Sequence, residues 1–148
     1  MEKLLISACL TGENCKYDGG NNALPPETLA ALRGRYELVP VCPEQLGGLP
    51  TPRVPSECRG SRVVNRLGED VTAAFQTGAE EALRICRENG CRTAVLKAKS
   101  PSCGKGVIHN GRFDGGLVDG DGVTARLLAE HGIEVLTDKE WLDRQRKR

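Results

Sequence analysis

Short apolar runs recur along the chain, and longer segments that mix apolar and polar residues separate them. A continuous apolar run of about four to eight residues is typical of a strand buried on both faces of a parallel sheet. Such runs are predicted as strands at Lys3–Ala8, Tyr36–Val41, Thr93–Ala98 and Ile133–Leu136. The pattern therefore predicts four strands, which are enough to form one open sheet.

The segments between these strands show helical spacing. Helices are predicted over Pro25–Arg33, Val71–Glu88 and Gly122–His131. Asp70 and Asp121 are the predicted N-caps of the second and third helices, because a carboxylate can accept the unpaired N–H groups of a first turn. Gly34 is predicted to end the first helix. A further helix follows the last strand.

Strands and helices alternate, and this order predicts the fold class. Between the third strand and the third long helix, Val107–Phe113 carries an Asn110-Gly111 dipeptide that is typical of a two-residue hairpin turn. The alternation predicts an α/β fold, a three-layer sandwich with a mainly parallel sheet of the Rossmann or flavodoxin kind and a small β-hairpin insertion. A length of 148 residues predicts a single domain over residues 1–148.

One long segment, from Pro43 to Ser61, fits no regular element. It contains four prolines and two adjacent glycines. Loops longer than about 12 to 15 residues are usually functional or disordered. Because this one begins directly after Cys42, we expect a functional loop.

Charge and targeting signals narrow the class of protein. The formal net charge is +1 and 28% of residues are charged, so no field of one sign indicates a nucleic acid polymer or a membrane surface as partner. The basic tail Arg144–Arg148 is interpreted as a solvated helix end. The N-terminus lacks the apolar core of a secretory signal, so we expect a cytoplasmic protein. In that reducing compartment, seven cysteines favour metal binding or catalysis over disulfides.

Four cysteines lie just beyond predicted strands or in the loops that follow them. They are Cys9, Cys15, Cys42 and Cys103. Loops at the carboxyl ends of parallel strands converge on the crevice where open α/β sheets bind ligands, so three or four thiols are expected to meet there. Cys86 and Cys91 are interpreted as apolar core fillers, and Cys58 fits either role.

The cysteine spacing bears on the cofactor. Structural zinc usually has paired Cys-x2-4-Cys ligands, whereas this sequence has no Cys-x-x-Cys, and the only histidines are His109 and His131. Iron-sulfur clusters take thiolate ligands, and three thiolates leave one iron of a four-iron cubane open. An open iron is a Lewis acid and favours catalysis. A zinc-stabilised binding module and a thiol- or cluster-based redox sensor are the alternatives.

Four blocks of sequence carry a family resemblance over nearly the whole chain. They are Ser7–Gly19, Val41–Glu57, Lys99–Gly104 and Gly120–Leu128. These blocks resemble the bacterial thiouracil desulfidase family, which was long catalogued as a domain of unknown function. The resemblance implies an enzyme that holds a [4Fe-4S] cluster through three cysteines. It also implies removal of sulfur from thiolated uracil compounds without net redox change, giving the uracil product and hydrogen sulfide.

The resemblance assigns the site residues. It implies Cys9, Cys42 and Cys103 as cluster ligands, with Cys15 as the alternative third ligand, and Glu44 and Ser100 as catalytic groups. The substrate sulfur is expected to bind the open iron. Glu44 is expected to activate the water that attacks the thiocarbonyl carbon, and Ser100 to hydrogen-bond and orient the ring.

The expected partner is a small thiolated pyrimidine, either a base such as thiouracil or a nucleotide such as thiouridine monophosphate. Basic residues near the predicted site bear on this choice, namely Arg53, Lys97, Lys99 and Lys105. If they gather at the site they favour an anionic substrate, and otherwise they are surface charges. The protein is expected to be a monomer or a homodimer.

Overall fold

A computed structural model of the chain describes residues 1–146. Its strands are β1 (Glu2–Ser7), β2 (Tyr36–Val41), β3 (Ser56–Arg59), β4 (Arg62–Asn65), β5 (Thr93–Leu96), β6 (Val107–His109), β7 (Leu117–Asp119) and β8 (Glu134–Thr137). Its helices are α1 (Pro26–Arg35), α2 (Pro43–Leu46), α3 (Thr72–Glu88), α4 (Val123–Glu130) and α5 (Asp138–Arg146), and a 3-10 turn covers Ala8–Thr11. The predicted basic tail begins within α5, and Lys147 and Arg148 lie outside the described residues.

The strands β1, β2, β5 and β8 form one parallel sheet in the order β2-β1-β5-β8. Leu4 of β1 lies between Leu38 of β2 and Thr93 of β5. The chain adds β2 on one side of β1 and then places β5 on the other side, so the strand order reverses between β1 and β5. Open α/β sheets bind ligands beyond the carboxyl ends of the strands at such a point.

Helices cover both faces of this sheet. On one face, Leu4 and Ile6 of β1 pack with α1 and with Trp141 of α5. On the other face, Leu5 packs with apolar residues of α3 and α4, including Leu128. The predicted three-layer α/β sandwich with a parallel sheet is therefore confirmed. Within residues 1–146, no helix combines the length and the apolar character needed to cross a membrane.

The helix boundaries correct three predictions. Helix α1 continues through Gly34 and ends at Arg35. Helix α3 begins at Thr72, although the Asp70 carboxylate does accept the Thr72 N–H at 2.9 Å. The predicted cap of α4 is wrong, because Asp121 accepts the N–H of Gly106 at 2.7 Å and Gly122 precedes the helix. Asp121 thus ties the start of the β6–β7 hairpin to the residues before α4.

The hairpins correct two further predictions. The segment 43–61 is not irregular throughout, because it contains α2 and β3, and β3 pairs with β4 as an antiparallel hairpin. The second hairpin pairs β6 with β7, and its loop covers residues 110–116 instead of a two-residue Asn110-Gly111 turn. Its loop is longer because the Glu57 carboxylate of β3 accepts the N–H groups of Gly111 and Phe113. Both hairpins share a small core of Cys58, Val63, Phe75 and Ile108.

Candidate active site

A cavity of about 500 Å³ lies beyond the carboxyl ends of β1, β2 and β5. One part of its lining, here called the sheet wall, consists of the residues that follow those three strands. The other part, here called the hairpin wall, comes from the β3–β4 hairpin and the 110–116 loop with their flanking residues. The hairpin wall includes Glu57, Arg66, His109 and Phe113. The cavity therefore occupies the crevice where the sheet order reverses.

The cysteines predicted to converge all line this cavity. They are Cys9, Cys15, Cys42 and Cys103. Cys9 lies in the 3-10 turn after β1, Cys42 directly follows β2, and Cys103 lies in the loop after β5. Cys15 reaches the cavity from the loop before α1. The parallel sheet therefore brings thiols from separate parts of the sequence to one place.

The other cysteines pack in apolar cores. Cys86 and Cys91 lie in the core between the sheet and the α3–α4 layer, as the sequence predicted. Cys58, for which the sequence allowed two roles, lies in the core shared by the hairpins, and its Sγ lies 3.4 Å from the Pro101 carbonyl. All seven cysteines are free thiols.

Cys103 is buried at the cavity, and two serines contact it. The Ser7 hydroxyl donates to its Sγ at 3.3 Å, and Ser102 Oγ lies 3.5 Å from the same sulfur. Burial raises the pKa of Cys103 to about 12, and the two hydroxyl contacts offset part of this rise. Serine O–H donors of this kind would stabilise a thiolate at this position.

The other thiols at the cavity interact with one another. Burial raises the pKa of Cys15 to about 12, and the nearby Cys42 adds to the rise. Burial also raises the pKa of Cys9, and Asn22 Nδ2 donates to its Sγ at 3.5 Å. Thiols in such surroundings stay protonated at neutral pH unless a cation takes the place of the proton.

The donor set fits an iron-sulfur cluster. Several thiols line one cavity, and thiolates are the ligands that such clusters take. Among residues 1–146, no three His, Cys, Asp or Glu side chains lie close enough together to ligate a single ion. Around a cubane the ligands lie farther apart, because each thiolate binds its own iron. Cys9, Cys42 and Cys103 would hold such a cluster from the ends of three adjacent strands.

Ser100 lies in the loop that carries Cys103, and it lines the cavity. Its Oγ accepts the N–H groups of Ser102 at 3.2 Å and of Cys103 at 3.1 Å. The first turn of α4 also holds this loop in place, because the Val123 N–H donates to the Pro101 carbonyl and the Thr124 N–H donates to the Ser102 carbonyl. Ser100 is thus held rigidly beside one of the predicted ligands.

Glu44 lies in α2, and close helix packing fixes its position. Gly47 at the end of α2 and Gly78 in α3 allow the two backbones to touch, and a Cβ on Gly78 would overlap the Pro43 carbonyl. Arg53 Nε donates to Glu44 Oε1 at 3.1 Å, and Arg53 also donates to the Cys15 carbonyl at 2.9 Å. The Arg53 side chain is only 6% exposed. Glu44 is therefore held at the cavity by a buried ion pair.

The basic residues named from the sequence differ in their surroundings. Arg53 pairs with Glu44, Lys97 with Asp138 at 3.6 Å, and Lys105 with Glu140 at 3.5 Å. Lys99 lines the cavity and has no ion-pair partner within residues 1–146. The neighbouring Lys139 ammonium lowers the pKa of Lys99.

Several residues at the cavity were not singled out from the sequence. They are Ser7, Ser102, Glu57, Arg66, His109 as a lining residue, and Phe113. Ser102 had one usable signal, because it lies between Ser100 and Cys103 in a Ser-Pro-Ser-Cys run. The hairpin wall gave no such signal, because its position depends on tertiary contacts.

Comparisons with known proteins identify the family of the chain. A solved structure of the [4Fe-4S]-dependent thiouracil desulfidase TudS is 46% identical, covers 97% of this chain and 95% of its own, and superposes with a TM-score of 0.91. The uncharacterized protein YbbK of Bacillus subtilis (strain 168) is 39% identical over 150 residues, covering 95% of this chain and 98% of its own length. A sequence model of the 2-thiouracil desulfurase family matches residues 4–140. The resemblance found in the sequence is thereby confirmed, and the chain belongs to the 2-thiouracil desulfurase family.

Proposed function

We propose that this protein is an iron-sulfur enzyme that removes sulfur from thiolated pyrimidines and releases hydrogen sulfide. One observation carries the proposal: thiols from the ends of three adjacent strands line the same cavity as Glu44 and Ser100, in a chain of the 2-thiouracil desulfurase family. We propose Cys9, Cys42 and Cys103 as the ligands of a [4Fe-4S] cluster. Their places after β1, β2 and β5 favour them over Cys15, which lies in a longer loop and whose carbonyl is bound by Arg53.

The chain supplies the proton chemistry. When bound, the cluster would offer a Lewis-acidic iron with an open position for the substrate sulfur. Glu44 is the base that receives a proton from the water attacking the thiocarbonyl carbon, since a positioned carboxylate is suited to this task. Arg53 keeps the Glu44 carboxylate in one orientation. Ser100 lines the cavity and contacts the substrate and the attacking water.

The substrate is a thiolated pyrimidine base or its nucleotide, acted on in the cytoplasm. Lys99 is the group that favours the nucleotide, because it lines the cavity and lies beside Lys139 without an acidic partner in the described part of the chain. Two neighbouring ammonium groups would both be stabilised by a phosphate. The ion-paired Lys97 and Lys105 contribute less to this preference.

Anaerobic purification and a sulfide-release assay test the proposal. We expect about four irons per chain and sulfide release from 2-thiouracil or 4-thiouridine monophosphate. Cys9→Ala, Cys42→Ala and Cys103→Ala should each lose iron and turnover. Cys58→Ala is the matched control, because it removes a buried thiol from the hairpin core and should keep its iron.

Cys15→Ala tests the choice of ligands. It should retain its iron if the three proposed ligands are correct, whereas iron loss in Cys15→Ala and retention in one of the other three variants would reassign the site. A reconstituted wild-type protein that holds iron but releases no sulfide from either substrate would contradict the proposed activity.

A further inference from the structure

Three side-chain oxygens in the sheet wall form a continuous hydrogen-bonded chain. Ser100 Oγ lies 3.1 Å from Ser102 Oγ, which lies 3.4 Å from Glu44 Oε2. Ser102 is 1% exposed, so its hydroxyl is shielded from bulk water. The two distances exceed the usual value of about 2.8 Å, as is common for catalytic contacts before substrate binds.

The backbone around Ser100 fixes the direction of this chain. Ser100 Oγ accepts the N–H groups of Ser102 and Cys103, which occupy both of its lone pairs. The remaining bond it can make is as a donor, so its O–H proton points to Ser102 Oγ. Ser102 in turn must donate its own proton onward, because its oxygen accepts from Ser100.

Two acceptors lie within reach of the Ser102 proton. Glu44 Oε2 is 3.4 Å away and Cys103 Sγ is 3.5 Å away. A carboxylate is the stronger acceptor of the two. The other Glu44 oxygen accepts from Arg53 Nε, which holds the carboxylate in the orientation that faces Ser102.

We propose that Ser102 is a relay residue that carries a proton from Ser100, at the cavity, to Glu44. The inference rests on the proposed function. In the relay, the O–H bond of Ser102 breaks as a new one forms on Glu44, and the Ser100 proton moves to Ser102 Oγ. Departure of its proton leaves a third lone pair on the half-buried Ser100 oxygen, and this lone pair takes a proton from the water that attacks the substrate carbon. Two amide N–H groups, of Ser102 and Cys103, stabilise the negative charge on Ser100 Oγ during this transfer.

The net result is one proton moved from water to Glu44, with Ser100 and Ser102 restored. On the return path the same groups deliver that proton to the departing sulfide, and the second proton of hydrogen sulfide comes from the hydroxyl group that the attacking water leaves on the carbon. Ser102 thus connects the two proposed catalytic residues without itself contacting the reacting carbon.

Ser7 provides a matched control for Ser102. It is also buried, at 2% exposed, and its hydroxyl also contacts Cys103 Sγ, at 3.3 Å. Within residues 1–146 its only other side-chain hydrogen bond is from the Lys97 N–H. Loss of Ser7 therefore removes a hydroxyl contact to Cys103 while leaving the path from Ser100 to Glu44 intact.

The test uses anaerobically purified, iron-loaded protein with 2-thiouracil as substrate. We expect Ser102→Ala to lower kcat about 100-fold, to change KM less than 3-fold, and to keep its iron content and visible spectrum. In mixtures of H2O and D2O, a plot of wild-type kcat against the deuterium content of the solvent should be curved, because several protons move in the same step. In Ser102→Ala that dependence should become linear, and Ser102→Thr, which keeps a hydroxyl, should restore the curve and most of kcat.

Double variants provide a second readout. Ser102→Ala added to Glu44→Gln should slow turnover no further than Glu44→Gln alone, because both changes break one path. Ser7→Ala should keep the curved dependence of kcat on deuterium content. When Ser7→Ala is combined with Glu44→Gln, the fold-decreases in kcat of the two single variants should multiply.

Equal losses of kcat in Ser102→Ala and Ser7→Ala, with curved dependence in both, would overturn the relay and leave Ser102 as a support for Cys103. If Ser102→Ala does not retain iron, Glu44→Gln tests the relay instead. A curved dependence of kcat on deuterium content in Glu44→Gln would contradict the relay. Wild-type turnover with a linear dependence overturns the relay alone, whereas wild-type protein that holds iron without turnover contradicts the proposed function.

Discussion

The sheet wall and the hairpin wall border the same cavity but are stabilised by different interactions. In the sheet wall, Cys9, Cys42 and Cys103 follow parallel strands whose neighbours are hydrogen-bonded and whose faces are covered by helices. In the hairpin wall, the 110–116 loop is fixed by Glu57, which accepts two of its N–H groups, and by Arg59, which donates to the Gly111 carbonyl at 2.7 Å. The first wall rests on the main core, and the second rests on the small hairpin core and a few side-chain hydrogen bonds.

This difference matches the tasks that we assign to the walls. Ligands of a metal cluster must keep a fixed separation, so a wall built on the sheet suits them. A wall that borders the rest of the substrate can move locally without unfolding the sheet, because its apolar core is small and separate from the cores that cover the sheet. Changes in the sheet wall should therefore affect global stability, and changes in the hairpin wall should mainly affect substrate binding.

Gly78→Ala should have the largest effect. The added Cβ would overlap the Pro43 carbonyl and force α2, which carries Glu44, away from α3. Overpacking of a tight contact costs about 3 kcal/mol, which corresponds to a fall in Tm of about 10 °C for a domain of this size. Thermal unfolding and sulfide release measure the two consequences. Unchanged Tm and kcat would show that α2 is not fixed by this contact.

Alkaline pH should destabilise the fold through two buried thiols, one beside each wall. Burial raises the pKa of Cys91 in the main core and of Cys58 in the hairpin core to about 11, from 9.0. Because the folded pKa lies above the unfolded value, each neutral thiol stabilises the fold fully below pH 9. That contribution, about 2 kcal/mol per thiol, is lost as the pH rises through about 11.

Urea unfolding at pH 8.5 to 11 measures this loss, and Cys91→Ala or Cys58→Ala should each flatten the slope. Alkylation at pH 10 then distinguishes opening of the hairpin wall from opening of the sheet wall. Cys58 should react with iodoacetamide before Cys91, because opening the hairpins alone exposes it. Equal rates would mean that both walls open together.

Glu57→Gln should loosen the hairpin wall alone. The amide remains an acceptor for Gly111 and Phe113, but hydrogen bonds to a charged acceptor are about twice as strong. We expect KM to rise about 5-fold with kcat nearly unchanged, and faster amide exchange at Gly111 and Phe113. Asp114→Asn is the control, because Asp114 accepts the Gly116 N–H at 2.8 Å in the same loop but is exposed. A fall in kcat without a change in KM would contradict this prediction and indicate that Glu57 takes part in the chemical step.

The same contrast between walls explains what the sequence could predict. The strands of the sheet are continuous apolar runs, and parallel strands bring their carboxyl ends together, so the convergence of the cysteines followed from the pattern. The β3–β4 hairpin was missed because Ser56–Arg59 follows a proline-rich segment and lacks regular alternation. The Asn110-Gly111 dipeptide misled because Glu57, distant in sequence, binds the Gly111 N–H.

Contacts between side chains were the other feature that could not be predicted from the sequence. The sequence resemblance pointed to Glu44 and Ser100, but the role of Arg53 as the partner of Glu44 and the place of Ser102 between the two depend on distances across the cavity. The error at Asp121 has the same origin, because its carboxylate could cap α4 or bind Gly106, and tertiary structure selects Gly106.

Gly34→Ala should have the smallest effect and the opposite sign. Gly34 lies in α1, which covers the sheet, and a Cβ there would meet no atom within 4 Å. Alanine in a helix is favoured over glycine by about 0.5 to 1 kcal/mol because it loses less backbone freedom on folding, so Tm should rise by about 2 °C. The variant shares its chemical change with Gly78→Ala and differs in the neighbouring atoms. A rise in Tm here together with a fall in Gly78→Ala would attribute the rigidity of the sheet wall to the α2–α3 contact, whereas a fall in both would attribute it to glycine itself.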